Sequence, residues 1–208
     1  MYKDITGIIL AGGKSTRMGE NKSFLKINGE FVIERVVKLM KGIFEKNIII
    51  TNTPQEYEFL KTPVFKDIYT YKGPLAGIHS GLRHSETEQN FIISCDIPLM
   101  RGEIIDYIIN YKTEKPVTVC RADGFIQQLA GRYSKNVLPY TEKVLEENNT
   151  EVRDQQQNQR KCAVLSMLEI VGSAIIEVEN LDFYDEAIFY NMNRPEDYKY
   201  ILDKLKNK

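Results

Sequence analysis

Residues 5–26 read ITGIILAGGKSTRMGENKSFLK. An apolar run, Ile8-Ile9-Leu10, meets the glycine pair Gly12-Gly13, and Lys14, Ser15, Thr16, Arg17, Gly19 and Lys22 follow. Small residues let backbone N–H groups approach a bound group closely, and several converging N–H groups make an anion site. Arg17 and Lys22 add positive charge. The pattern suits a loop that grips a nucleoside triphosphate after the first strand of an α/β sheet. It is neither of two familiar phosphate loops. A Walker loop requires G-x-x-x-x-G-K-[ST], and counting back from Gly13-Lys14-Ser15 puts its first glycine at Ile8. The dinucleotide fingerprint G-x-G-x-x-G fails because Gly12 and Gly13 are adjacent.

A chain of 208 residues suits one α/β domain with a sizeable core. Lys+Arg 28 against Asp+Glu 29 leaves a net charge of −1, which argues against a nucleic-acid binder and confines any basic site to a local patch. The three cysteines, Cys95, Cys120 and Cys162, are scattered without a C-x-x-C pair, as in a reduced cytoplasmic protein with buried thiols. With only two histidines, His79 and His84, a Cys/His zinc site is not expected. No apolar run approaches membrane-spanning length and no apolar leader opens the chain, so a soluble, cytoplasmic protein without a membrane partner is expected.

Strands are expected at 5–10, 48–50, 64–65, 91–94, 116–120, 127–133 and 174–178. Helices are expected around 31–40, 55–60, 74–83, 103–111, 136–147, 162–171 and 195–206. This alternation implies a mostly parallel sheet covered on both faces. The polar stretch 148–159, NNTEVRDQQQNQ, reads as an exposed loop. Asp96 follows Phe91–Cys95 and so stands at the carboxyl end of a buried strand, where ligands bind in open α/β sheets and where an oxygen ligand for a divalent cation is wanted. Asp67, after Val64-Phe65-Lys66, holds an equivalent position, with a turn role as its alternative. Gly73-Pro74-Leu75-Ala76-Gly77 is a glycine-framed helix entry. His79 and His84 fall on different faces of that helix and are expected at the surface.

Taken together, these residues resemble the molybdenum cofactor guanylyltransferase family. Its L-A-G-G-x-S-x-R-M-G-x-x-K pattern matches Leu10–Lys22, G-P-L-A-G matches Gly73–Gly77, and C-D-x-P matches Cys95–Pro98. N-x-N-x-P-E-[DE] matches Asn191–Asp197. The resemblance implies a single Rossmann-like domain of the nucleotide-diphospho-sugar-transferase type over residues 1–208. Residues 1–120 would form its GTP- and Mg²⁺-binding half and residues 121–208 its acceptor-binding half. It implies transfer of GMP from GTP to molybdopterin, forming the guanine dinucleotide and pyrophosphate. Leu10, Ala11, Gly12, Gly13, Lys22, Asn52, Asp67 and Asp96 would contact the nucleotide, with Asp96 holding Mg²⁺. Arg17, Lys22 and Asp96 would carry catalysis. Gln127, Arg160, Lys161, Asn191 and Asn193 would face the acceptor. Molybdoenzymes or cofactor-inserting proteins would be further partners.

The acceptor half departs from the pattern. Where relatives show Q-P-L-x-A-x-Y, this chain has Gln127-Gln128-Leu129-Ala130-Gly131-Arg132-Tyr133. Two alternatives stand beside the guanylyl reading. One is a cytidylyltransferase, or another nucleotidyltransferase with a different phosphorylated acceptor. The other is a non-catalytic GTP-binding adaptor that delivers cofactor. The LAGG head and the N-x-N close favour guanylyl transfer, and retention of both Lys22 and Asp96 favours an enzyme.

Overall fold

The structure, a computed structural model, describes residues 1–12, 21–70, 72–150 and 163–206. Its centre is a seven-stranded sheet. The first strand, β1 (Tyr2–Leu10), carries six buried residues in succession, Ile5–Leu10, as a strand covered on both faces must. A two-residue hairpin follows, β2 (Lys26–Ile27) and β3 (Glu30–Phe31), turning on Asn28 and Gly29, both at positive φ. Asn-Gly is the strongest short hairpin signal, and this hairpin was not among the expected elements. Helix α1 (Val32–Ile43) then leads into β4 (Phe44–Ile50). Residues Pro54–Leu60, expected as a short helix, form a 3₁₀ stretch, and β5 (Val64–Phe65) follows.

Next come α2 (Pro74–His84), β6 (Gln89–Ser94) and α3 (Gly102–Asn110). The remainder is β7 (Val117–Ala122), β8 (Phe125–Ser134), α4 (Leu138–Thr150), α5 (Ala163–Val171), β9 (Ala174–Glu177) and α6 (Pro195–Lys206). The strand order is β5-β4-β1-β6-β8-β7-β9. All pairings are parallel except those of β8, which runs antiparallel to both β6 and β7. The mostly parallel sheet is as expected, and the reversal of β8 was not legible from its apolar pattern. Residues 148–150, expected at the start of an exposed loop, are the last turn of α4; residues 151–159 of that stretch lie outside the described residues.

Each face of the sheet has its own core. Ile9, Ile49, Phe91 and Ile93 pack with α1 and α3 residues such as Val36, Met40, Ile104 and Ile108. Ile8, Ile50, Ile92 and Val119 pack with Ile78 and Leu82 of α2, Leu145 of α4 and Met167 of α5. Helix α2 lies close on β1 because Gly81 has no side chain: a Cβ there would sit 2.5 Å from Ile8 Cγ2. A third cluster, Ile27, Val32, Met192 and Ile201, seats α6 against the small hairpin.

Candidate active site

The chain leaves β1 toward β4 and β5 on one side, then crosses back to β6 on the other. This reversal opens a crevice at the carboxyl ends of β1 and β6, the switch point at which open α/β sheets bind ligands. The edge is held in register beyond the strands themselves. Ala11 N donates to Ile50 O (2.8 Å), Cys95 N to Leu10 O (3.0 Å) and Thr51 N to Phe65 O (3.0 Å). Leu10, Ala11, Gly12, Asn52, Asp67 and Asp96 therefore stand along one edge.

Two pairs form there. Lys22, in a single 3₁₀ turn at Lys22–Phe24, meets Asp96: Nζ lies 2.5 Å from Oδ2. The same Nζ donates to Asn193 Oδ1 at 3.2 Å. Asp96 is 9% exposed, and its other oxygen, Oδ1, is buried without a hydrogen-bond partner among the described residues. Its backbone O accepts from Met192 N at 2.8 Å, which fixes the Asn191–Asn193 segment beside it. Residues 74 and 171 positions apart in sequence thus converge on one ammonium group.

In the second pair, Asn52 Nδ2 donates to Asp67 Oδ2 at 2.8 Å. Burial pushes the Asp67 carboxyl above its usual range, and the hydrogen bond from Asn52 works against that rise. Ser80, buried in α2, accepts from Ile68 N at 2.8 Å and so anchors the segment carrying Asp67. A Cβ on Gly77 would lie 3.7 Å from Asp67 Oδ1, so the start of α2 borders this pair.

The acceptor-side candidates are more dispersed. Between β7 and β8 the pairing jumps from Val119–Gly131 to Arg121–Ile126, so Gln127–Ala130 bulge opposite Cys120. Bulges re-aim side chains and gather near binding sites. Tyr133 Oη donates to Gln128 O, and Gln127 Nε2 donates to Ala122 O at 3.3 Å, pinning the bulge. Asn193 reaches Lys22, whereas Asn191 is exposed and its Nδ2 donates to Phe189 O at 3.2 Å. Gly13, Arg17, Arg160 and Lys161 lie outside the described residues.

The Q-P-L-x-A-x-Y departure at Gly131 has a physical reason. A Cβ on Gly131 would sit 2.6 Å from Thr118 O and 2.7 Å from Val119 Cγ1, so β7 and β8 approach too closely there for alanine. The surface expectation for the histidines is corrected at His79. It is 2% exposed and lies 3.2 Å from Glu142 Oε1, an oxygen that also accepts from Arg83 at 2.6 Å. Packing of α4 over α2 buries it, and a single helix pattern cannot reveal that. His84 is exposed as expected and stacks on Phe65. Cys95 and Cys120 are buried thiols, pushed up to about 11 and about 12 by desolvation, and neither suits a thiolate role. Sequence reasoning missed Asn21, Tyr57 and Ser80, whose partners are remote in sequence.

Among the described residues no helix is long and apolar enough to cross a membrane, and no cluster of three His, Cys, Asp or Glu forms a metal cage. Asp96 Oδ1 nevertheless fits a hard divalent cation. It is a buried carboxylate oxygen lacking a partner, and such ions in nucleotide sites take one or two carboxylates and complete their shell with phosphate oxygens and water.

Residues 7–161 match the family model of the MobA-like NTP transferase domain. The chain is 34% identical over 197 residues to a probable molybdenum cofactor guanylyltransferase of Clostridium perfringens, covering 94% of this chain and 95% of that one. It is 35% identical over 202 residues to a protein of the same description from Carboxydothermus hydrogenoformans, covering 96% of each. Its fold matches that of the molybdopterin-guanine dinucleotide biosynthesis protein A from Archaeoglobus fulgidus, with a TM-score of 0.79 at 20% identity, covering 98% of this chain and 100% of that one. A family model spanning most of the chain, and relatives matched over nearly their whole lengths, agree with the crevice geometry: the chain belongs to the MobA-like NTP transferase family.

Proposed function

We propose that this enzyme transfers GMP from GTP to the terminal phosphate of molybdopterin, releasing pyrophosphate. The observation that carries the reading is the Lys22–Asp96 pair at the switch point, with one Asp96 oxygen buried and uncommitted. The names of the relatives supply the substrates. An acceptor phosphate oxygen attacks the α-phosphorus in line. The new P–O bond forms as the bond from the α-phosphorus to the bridging oxygen breaks, and that electron pair leaves with pyrophosphate. The attacking phosphate is already ionised, so no protein nucleophile is required. Catalysis is then positioning and charge stabilisation.

Leu10, Ala11 and Gly12 line the nucleotide's approach at the end of β1, and Gly13 joins them through its motif alone. Asn52 orients Asp67 toward the nucleoside. Lys22 lies within reach of phosphate oxygens while Asp96 and Asn193 hold it in place. Arg17 joins it through its motif alone. Asp96 Oδ1 would hold Mg²⁺, which when bound supplies Lewis-acid neutralisation of phosphate charge. Gln127, Asn191 and Asn193, with Arg160 and Lys161 from their motif positions, face the acceptor. Residues 1–120 thus serve the nucleotide and 121–208 the acceptor. A cytoplasmic setting, with molybdoenzymes or cofactor-inserting proteins downstream, completes the reading and is supported by the buried, unlinked thiols.

The test is pyrophosphate release from GTP and from CTP in Mg²⁺ buffer, with and without molybdopterin. Release with GTP alone, and only when the pterin is present, is expected. Release with CTP instead would make this a cytidylyltransferase. GTP binding without release would make it an adaptor.

A further inference from the structure

The ring of Tyr57 is fully buried against Phe24, with centroids 5.2 Å apart, and a phenylalanine would fill the same volume. Its hydroxyl is the part that needs explaining. It donates to Ala11 O at 3.1 Å and accepts from Asn21 Nδ2 at 3.3 Å. Ala11 directly follows β1. Asn21 directly precedes Lys22, and its Oδ1 accepts from Ser23 N at 3.1 Å, capping the turn on which Lys22 rides. On the other side of Lys22, Ser23 Oγ lies 3.3 Å from Cys95 Sγ, next to Asp96. Both neighbours of Lys22 are therefore tied to the sheet edge, one through Tyr57 to the end of β1 and the other to the end of β6. Glu56, held by Thr53 Oγ1 at 2.8 Å, gives Asn21 Nδ2 a second acceptor at 3.4 Å.

We propose that Tyr57 is a positioning residue for nucleotidyl transfer: its hydroxyl, bridging Ala11 and Asn21, sets where Lys22 stands relative to the nucleotide end of β1. The inference rests on the reading of Lys22 as a phosphate-binding group. Burial raises the Tyr57 pKa, so the hydroxyl keeps its proton for Ala11 throughout the neutral range. A buried hydrogen-bonded hydroxyl resists displacement because the carbonyl and amide that it leaves would be unsatisfied.

The experiment measures GTP affinity by equilibrium binding and kcat/KM by pyrophosphate release, for Tyr57→Phe in the wild-type chain and in Lys22→Met. Tyr57→Phe is expected to lower GTP affinity and kcat/KM roughly tenfold, the scale of one lost buried hydrogen bond. The thermal midpoint is expected to fall by only about 2–4 °C. In the Lys22→Met background the same change is expected to have less than about a twofold effect, because residues acting as one unit are non-additive. Asn21→Ser keeps an oxygen for the Ser23 amide but is too short to reach Tyr57, and is expected to reproduce the loss. An equal loss in both backgrounds, or no loss with Tyr57→Phe, overturns the inference. The wild-type control separates this from the parent reading. If that chain uses CTP, the same variants are scored with CTP; if it turns over neither nucleotide, the parent reading fails, and the inference with it.

Discussion

Replacing Asp96 by Asn removes a charge and almost no volume, so it separates catalysis from folding. At 2.5 Å the Lys22–Asp96 attraction is about 7 kcal/mol for an effective dielectric of 20. Desolvating the two groups, 18% and 12% exposed, costs several kcal/mol per ion and offsets most of it. The net worth is then on the scale of a charged hydrogen bond, about 1.5–3 kcal/mol. Asn keeps an oxygen for Lys22, so Asp96→Asn is expected to cost about 1–2 kcal/mol of stability, or about 2–8 °C in thermal midpoint. A domain with about 5–15 kcal/mol of stability stays folded. Turnover is expected to fall about 10²–10³-fold, the effect of losing one preorganised charge-stabilising contact. Lys22→Met is the harsher change for the fold. It leaves a carboxylate that is 9% exposed without its counter-charge, at about 3–5 kcal/mol. The assay pairs pyrophosphate release with calorimetry on the same preparations. Turnover within threefold of wild type, or Asp96→Asn proving less stable than Lys22→Met, refutes the reasoning.

Mg²⁺ is expected to raise the thermal midpoint in the presence of GTP by about 1.4 kcal/mol equivalent at ten times its dissociation constant, and to have no such effect in Asp96→Asn; an equal shift in both removes Asp96 as the ligand. Asp67 has its pKa raised above 3.8 in the fold by burial, so the folded state binds its proton more tightly and stability falls as pH climbs through that raised value. Asp67→Asn is therefore expected to be more stable than wild type at pH 7 in denaturant titrations, with the gap closing toward pH 3.8, and to bind GTP more weakly; a gap independent of pH contradicts the burial argument. Gly131→Ala, which restores the residue of the family pattern, is expected to cost about 1–3 kcal/mol because its methyl meets the Thr118 carbonyl. An unchanged midpoint would mean that β7 and β8 separate freely.

Much of the site was legible because its chemistry is local. Leu10, Ala11, Gly12 and Asp96 follow short apolar runs, and such runs end at the carboxyl edge of a parallel sheet whatever the details of packing. Asp67 was found by the same signal, and its pairing with Asn52 follows from β4 and β5 being neighbours. The Asn191–Asn193 segment was legible only as a motif; that it lies on Lys22 depends on α6 packing against the β2–β3 hairpin. The bulge at Gln127–Ala130, the burial of His79 and the Tyr57 bridge gave no local signal, since their partners lie 5 to 63 residues away.

The sequence by itself therefore determined the alternation of strand and helix and the family, and it set Leu10, Ala11, Gly12 and Asp96 at strand ends, all of which rest on hydrophobic period and on contiguous motifs. Tertiary structure alone decided that β8 enters antiparallel between β6 and β7, that a methyl at Gly131 would crowd the Thr118 carbonyl, and that Lys22 meets Asp96 and Asn193 from two remote segments. The physical reason is that strand direction, close approach and charge pairing are properties of neighbours in space, and a one-dimensional pattern records a residue's own preference without recording the neighbour that satisfies it.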